Sequence, residues 1–354
     1  MKKVFREPHT NPEYFFKKIF FRKTIGFALI LLLLIGLGSI AHAGDKKYVI
    51  KFSTLAPEGS NWMKQLHALE QEIKKVTEGK VHFKFYPGGV SGDEFDVIRK
   101  MRIGQVHAAG FTGVGLGKIL PEVRVLDLPF LFDNDPQVRH IYETMNDYFT
   151  AQFEKKGYVL LGWVPVGWVH FFSKTPIRSI GDLQKTKAWM WEGDPLVKEV
   201  YEILGVTPFP LSVTDVLLSL QTGMINTVYA SPIGALVLQW FTKVKFMSQL
   251  RMGYATGAVL MTKKKFKTLP DEYQKILKEV SQKHLAILLR IIQEDNSKSI
   301  EVMKKNGLKL APMPTTDEIK QFHELGAKTR KNLTGKLFSK ELLDRVLSHL
   351  EEVK

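Results

Sequence analysis

Between Tyr48 and Phe85 the hydrophobic period of this chain changes twice. Tyr48, Ile50 and Phe52 alternate with Val49, Lys51 and Ser53, which predicts a strand. Trp62, Leu66, Leu69, Ile73 and Val76 then fall on one helical face, with Ser60 or Asn61 as the cap and Gly79 at the end. Val81, Phe83 and Phe85 alternate again as a second strand. A Pro87-Gly88-Gly89 turn, a short helix ending at Gly104 and a small-residue strand follow. That strand runs into a predicted Gly-rich loop at Gly113, Gly115 and Gly117, and then into the apolar run LDLPFLF. This is the α/β pattern, in which ligands are expected at the carboxyl ends of the strands.

The remainder predicts a second lobe beginning near Gly162. Residues 159–166, 169–172, 188–191 and 228–230 read as strands. Asp194-Pro195 opens a helix ending at Gly205, and residues 214–223 form another. Asp133-Asn134-Asp135-Pro136 reads as a helix cap, because the glycine and the glutamate of a calcium loop are missing downstream. A helical pattern opens at Pro270-Asp271 and continues unbroken to Gly307, and Thr315 with Glu318 forms a capping box. No low-complexity linker separates the lobes, so strands and a long helix must join them, an arrangement suited to hinge motion. The expected division is residues 1–43 as a signal peptide, 44–165 with about 247–285 as lobe I, and 166–246 with about 286–354 as lobe II and C-terminal helices.

The signal-peptide reading rests on Lys17, Lys18, Arg22 and Lys23, an apolar core over residues 25–37 and an Ala41-His42-Ala43 cleavage site. An uncleaved membrane anchor is the alternative, but the uncharged run is shorter than the roughly 20 residues a span needs. Cleavage predicts export to the periplasm. The chain has no cysteine, hence no disulfide and no lipid-attachment thiol. The first 43 residues carry seven Lys/Arg against two Asp/Glu, which leaves +10 of the formal +15 on the rest. The lysines are spread along helices without interleaved aromatics, which argues against a nucleic-acid partner.

Catalytic and metal signatures are missing. The ten histidines form no H-E-x-x-H or H-x3-H set, and no metal or cofactor site is expected. Gly117-Lys118-Ile119 lacks the hydroxyl residue of a phosphate loop, so these glycines are expected to permit a tight turn at the cleft edge. No G-x-S-x-G and no cysteine nucleophile are present, and no enzyme is expected.

In order along the chain, FSTLAPEGSNW, TEGKVHFKFYPGGVSGDEFDVIRKMRIGQVHAA, VLDLPFLF, IRSIGDL, GVTPFPLSVTDVLLSLQTGMIN and FKTLPDEYQKIL resemble the DctP-type solute-binding proteins of tripartite ATP-independent periplasmic (TRAP) transporters. The resemblance covers nearly all of residues 46–340. It implies a two-lobed, Venus-flytrap fold with a long helix spanning both lobes. It further implies capture of a small ligand and delivery to TRAP membrane permease subunits driven by an ion gradient, without catalysis.

The departures from the family bear on the ligand. Where acid-binding members place a carboxylate-holding arginine, about seven residues after the D-L of the second lobe, this chain has Trp189, in KAWMWEGDP. Where a second arginine follows a glycine, it has Gly167-Trp168-Val169-His170, and the Q-E-N-P stretch is replaced by Val228-Tyr229-Ala230-Ser231-Pro232. Arginine donates two parallel charged hydrogen bonds to a carboxylate; tryptophan has one N–H and no charge. Trp168, Trp189 and Trp191 are therefore expected to wall a cleft for an apolar or aromatic ligand, with Trp189 and Trp191 on one side of a strand and Met190 on the other. The expected ligand-binding set is Leu55, Thr112, Gly113, Trp168, Val169, Trp189, Trp191, Tyr229 and Ser231. A bridging metal could replace the missing charge of an acid's partner. The arginine-less subset of the family resembles the treponemal lipoprotein type, which implies an alternative: a hydrophobic-molecule or lipid carrier working with a tetratricopeptide-repeat protein.

Overall fold

A computed structural model describes residues 46–353; the proposed signal segment lies outside them. In chain order the strands are β1 (Tyr48–Ser53), β2 (Val81–Tyr86), β3 (Ala108–Thr112), β4 (Tyr158–Trp163), β5 (Gly167–Ser173), β6 (Trp189–Trp191), β7 (Phe209–Leu211), β8 (Thr227–Ala230), β9 (Phe246–Met247), β10 (Gly253–Ala255), β11 (Gly257–Thr262) and β12 (Lys309–Leu310). The helices are α1 (Asn61–Val76), α2 (Glu94–Arg102), α3 (Gly113–Ile119), α4 (Asp135–Thr144), α5 (Asn146–Lys155), α6 (Ile180–Gln184), α7 (Pro195–Leu204), α8 (Val216–Thr222), α9 (Pro232–Val237), α10 (Lys263–Phe266), α11 (Asp271–Lys305), α12 (Thr316–Leu333) and α13 (Lys340–Glu351).

The first sheet has the order β2-β1-β3-β11-β4. β1 runs parallel to β2 and β3, and β11 runs antiparallel to β3 and β4. The alternation read in β1 and β2 sends Ile50, Phe52, Val81 and Phe83 into a core with Met63, Leu66, Leu69 and Ile73 of α1. Ser60 caps α1 by accepting from the Met63 amide. The second sheet runs β10-β5-β9-β12, with β8 also on β5, and β6 and β7 form a small parallel pair.

The chain passes between the two sheets at residues 164–166 and again at Thr256. These crossings lie side by side: the Val164 amide donates to Gly257 O (2.7 Å) and the Val166 amide to Ala255 O (2.8 Å). The 35-residue α11 is the long helix predicted from Asp271, and it touches α1 and β4 as well as α9 and β5.

Three expectations change. The glycines at 113, 115 and 117 lie in helix α3, not in a loop. Residues 253–255, expected with lobe I, pair with β5 in the second sheet. The last helix, α13, expected with lobe II, packs on α4.

Candidate functional site

Between the sheets lies a cavity of about 600 Å³. Thr54 and Leu55, just past β1, and residues 110–112, at the end of β3, form one wall. Trp189, Trp191, Tyr229 and Trp240 form the other. This is the carboxyl-end placement that parallel strands favour.

The aromatic wall is built by stacking. The Trp189 ring lies 4.8 Å from that of Tyr229 at 21°, and Trp240 meets Trp189 edge-on at 5.2 Å. Trp189 is 1 % exposed, and its indole N–H is committed to Leu211 O at 3.0 Å. Trp191 lies beside it, with ring centres 5.9 Å apart, while Met190 points into a different part of the core. The Trp191 backbone amide donates to the Tyr229 hydroxyl (3.3 Å), but its indole Nε1 has no hydrogen-bond partner among the described residues. The same holds for the buried Nε1 of Trp62, which also lines the cavity. Gly110 makes room for Trp62: a β-carbon there would stand 2.8 Å from the indole.

A buried ionic cluster closes the cavity wall. Arg124 lies in a 3₁₀ turn at Pro121–Asp127, just after α3. Its Nη2 reaches Asp194 Oδ2 at 3.1 Å and its Nε stands 3.2 Å from Asp127 Oδ2. The second contact is an ion pair without hydrogen-bond alignment, so both of its atoms lack a hydrogen-bond partner. Asp194 caps α7 through the amides of Leu196 and Val197. Asp127 Oδ1 accepts from the Thr256 amide at 2.7 Å, which ties the cluster to the inter-sheet crossing. Burial raises the Asp127 carboxyl above its ordinary range, although Arg124 pulls it the other way.

Glu94 is a further buried acid on this wall. It accepts from the amides of Thr112 and Gly115, both at 2.7 Å, and from the Thr112 hydroxyl at 3.0 Å. Burial pushes it up to about 7 against the downward pull of those donors. Here the three glycines find their use. A β-carbon on Gly113 would collide with the Asp127 carboxylate, one on Gly115 with Glu94, and one on Gly117 would stand 2.6 Å from Arg124 Cγ. The glycines let α3 lie directly on the ionic cluster, which corrects the expected loop and tight turn.

Leu55, Thr112, Gly113, Val169, Trp189, Trp191, Tyr229 and Ser231 border the cavity. Trp168 does not. Alternation along β5 turns Val169 and Phe171 toward the cavity, and Trp168 instead donates to Asp135 Oδ1 (2.8 Å) beneath the Arg251 guanidinium. His170, on the same side of β5, is buried against Ser248 O, and burial lowers it to about 4. The Ser231 hydroxyl is occupied in capping α9, where it accepts from the Gly234 amide.

The sequence reading placed Trp62 on a helix face and did not assign it, Glu94, Arg124, Asp127 or Trp240 to the site. A signal for two of them was present: Arg124 and Asp127 interrupt an apolar run from Val123 to Phe132, and charges so placed need partners when they fold inside. Among the described lining residues, Arg124 and Lys298 are the cationic ones. Arg124 is matched by two carboxylates, and Lys298 is exposed and bonded to Glu294 at 3.0 Å.

Residues 52–335 match the family described as bacterial extracellular solute-binding protein, family 7. The chain is 25 % identical over 244 residues to the 2,3-diketo-L-gulonate-binding periplasmic protein YiaO of Escherichia coli K12, covering 67 % of this chain and 73 % of that one. It is 23 % identical over 284 residues to the C4-dicarboxylate-binding periplasmic protein DctP of Rhodobacter capsulatus, covering 80 % and 82 %. Its fold is similar to that of the sugar acid binding protein DctPAm of Advenella mimigardefordensis, solved with galactonate, with a TM-score of 0.82 at 19 % identity over 87 % of this chain and 99 % of that one. The two-lobed α/β architecture with its long helix is that of the TRAP solute-binding proteins, receptors that bind small molecules for membrane permease subunits and are not enzymes. The chain belongs to the family 7 bacterial extracellular solute-binding proteins.

Proposed function

We propose that this receptor is exported by its N-terminal segment, takes an uncharged, largely apolar or aromatic molecule into the cavity, and hands it to an ion-gradient-driven TRAP permease. The single observation that carries the choice of ligand is the state of Arg124. It is the one buried cation among the described lining residues, and Asp127 and Asp194 already neutralise it. An acid entering the cavity would bring a third carboxylate to a cluster that is already net negative. A buried carboxylate without a partner costs several kcal/mol. The aromatic wall of Trp189, Trp191 and Tyr229 suits a flat or apolar molecule, and the free indole N–H groups of Trp62 and Trp191 suit a neutral acceptor on it. The periplasmic location is supported by the periplasmic relatives and by the Ala41-His42-Ala43 pattern.

A carrier acting with a tetratricopeptide-repeat protein would use the same cavity, and no observation favours it over permease delivery.

The deciding experiment is native mass spectrometry of the purified protein, followed by denaturing extraction and identification of the released compound. An uncharged apolar or aromatic compound is expected. A sugar acid or dicarboxylate, released in stoichiometric amount, would overturn the reading of the aromatic wall.

A further inference from the structure

Outside the lining of the cavity, the end of α13 meets α4. His349 of α13 and Glu352, which follows the helix, sit three residues apart, with Nδ1 and Oε1 at 3.0 Å. His140 of α4, 212 residues from Glu352 in the chain, places its Nε2 2.9 Å from the other carboxylate oxygen. One ligand atom from each of the three side chains falls within 4.8 Å of the others. The backbones beneath are held by packing: Val138 and Ile141 of α4 and Leu343, Val346 and Leu350 of α13 belong to one apolar core.

We propose that His140, His349 and Glu352 form a site for a divalent transition-metal ion of the zinc class. Two imidazoles and one carboxylate are the donor types such ions prefer, and calcium or magnesium would want more oxygen. The spacing fits as well. Ligand atoms about 2.0–2.1 Å from a tetrahedral zinc stand about 3.3 Å from one another. The candidate atoms, one per side chain, lie within 4.8 Å of one another and each imidazole now faces a different Glu352 oxygen, so a turn of that carboxylate with a small closing of the rings would bring the set to that edge. The imidazoles are about three-quarters shielded, with side chains 24 % and 25 % exposed, while Glu352 is 51 % exposed and keeps the fourth position open to water. The ion would staple the C-terminal helix to α4. The sequence carries no zinc signature because the third ligand comes from a helix on the other side of the chain's length.

The test uses the whole chain, expressed without a polyhistidine tag and stripped with chelator. Titration calorimetry with Zn²⁺ should show one ion bound per chain, and Co²⁺ should give the visible absorption of a tetrahedral site. His140→Ala, His349→Ala and Glu352→Gln should each weaken Zn²⁺ binding by at least about tenfold, the scale on which metal-site groups act. Glu352→Gln preserves a hydrogen-bonding side chain of equal length, so its effect separates a metal ligand from a plain imidazole–carboxylate contact. Zn²⁺ should also raise the melting temperature of the wild type and leave that of the double variant His140→Ala/His349→Ala unmoved. Binding that persists in the double variant with unchanged affinity, or no Zn²⁺ binding by the wild type, would overturn the proposal. Should His349→Ala fail to fold, His140→Asn, a change in a partly exposed side chain, carries the same comparison.

Discussion

Arg124 and Asp194, 70 residues apart in the chain, meet at 3.1 Å inside the protein, and Asp127 stands 3.2 Å from the same guanidinium. The contact joins the turn after α3 to the start of α7. Arg124→Met removes the cation and leaves two carboxylates facing each other in a buried place. The expected loss of stability is about 3–5 kcal/mol, the cost of breaking a buried pair from one side. Urea unfolding followed by circular dichroism measures it. A loss below about 1 kcal/mol would mean that water reaches the cluster and that burial does not govern it.

Gly115→Ala opposes two effects of known sign. Alanine favours a helix over glycine by about 1 kcal/mol. The added methyl would collide with the Glu94 carboxylate and stand 2.6 Å from the Phe111 ring, where overpacking costs about 1–3 kcal/mol. A net loss of stability is expected. A gain on thermal unfolding would show that α3 can lift off the cluster at little cost.

Glu94 links stability to pH. Its folded-state value is raised to about 7 by burial, against an ordinary value of 4.5, so between those values the folded protein holds a proton that the unfolded chain has released. The contribution is fully present below about pH 4.5 and is lost as pH rises to about 7, with an amplitude on the order of 3 kcal/mol. His107 and His170, both lowered to about 4 mainly by burial, act with the opposite slope over an overlapping range. The difference between wild type and Glu94→Gln isolates the acid. Unfolding free energies measured from pH 4.5 to 8 should show that difference changing with pH, and parallel curves would refute the assignment.

Trp189 and Trp191 should separate by function. Trp189 is stacked and hydrogen-bonded, so Trp189→Ala is expected to destabilise the fold by about 3–5 kcal/mol before any binding effect is read. Trp191→Phe keeps an aromatic ring and deletes the unpartnered N–H together with part of the buried indole. Its stability should fall by about 1–2 kcal/mol, less than for Trp189→Ala. Affinity for the compound recovered from the wild-type protein should fall roughly tenfold if that compound accepts the N–H. Calorimetric titration reads the outcome, and unchanged affinity would place the ligand's polar group elsewhere.

Much of this architecture was legible because period and capping are local. The β1–α1–β2 unit, the capped α7 and the long α11 follow from spacing and from residues such as Ser60, Asp194 and Gly205, whose effects reach only a turn or so. The aromatic wall was legible for the same reason, since strand alternation puts Trp189 and Trp191 on one side. Trp168 failed the same test because its neighbour Val169, not Trp168, holds the cavity-facing position of β5. The glycines of α3 misled because glycine is intrinsically a poor helix former, and the reason for them lies in Asp127, Glu94 and Arg124 pressing on that helix. The Arg124–Asp194 contact and the His140–Glu352 contact depend on distant pairing, which no local window contains.

The paired crossings at residues 164–166 and Thr256 restrict how the lobes can part. A hydrogen-bonded ladder resists sliding, because a slip of one residue would turn every side chain to the wrong face. With Val164 bonded to Gly257 and Val166 to Ala255, the two crossings are tied to each other and must bend together, which suits hinge rotation. Gly257 cannot carry a side chain without striking Val164 O, so the two strands lie as close as backbones allow. Entry and exit of a ligand would then use the same hinge rotation, in which the long helix must take part.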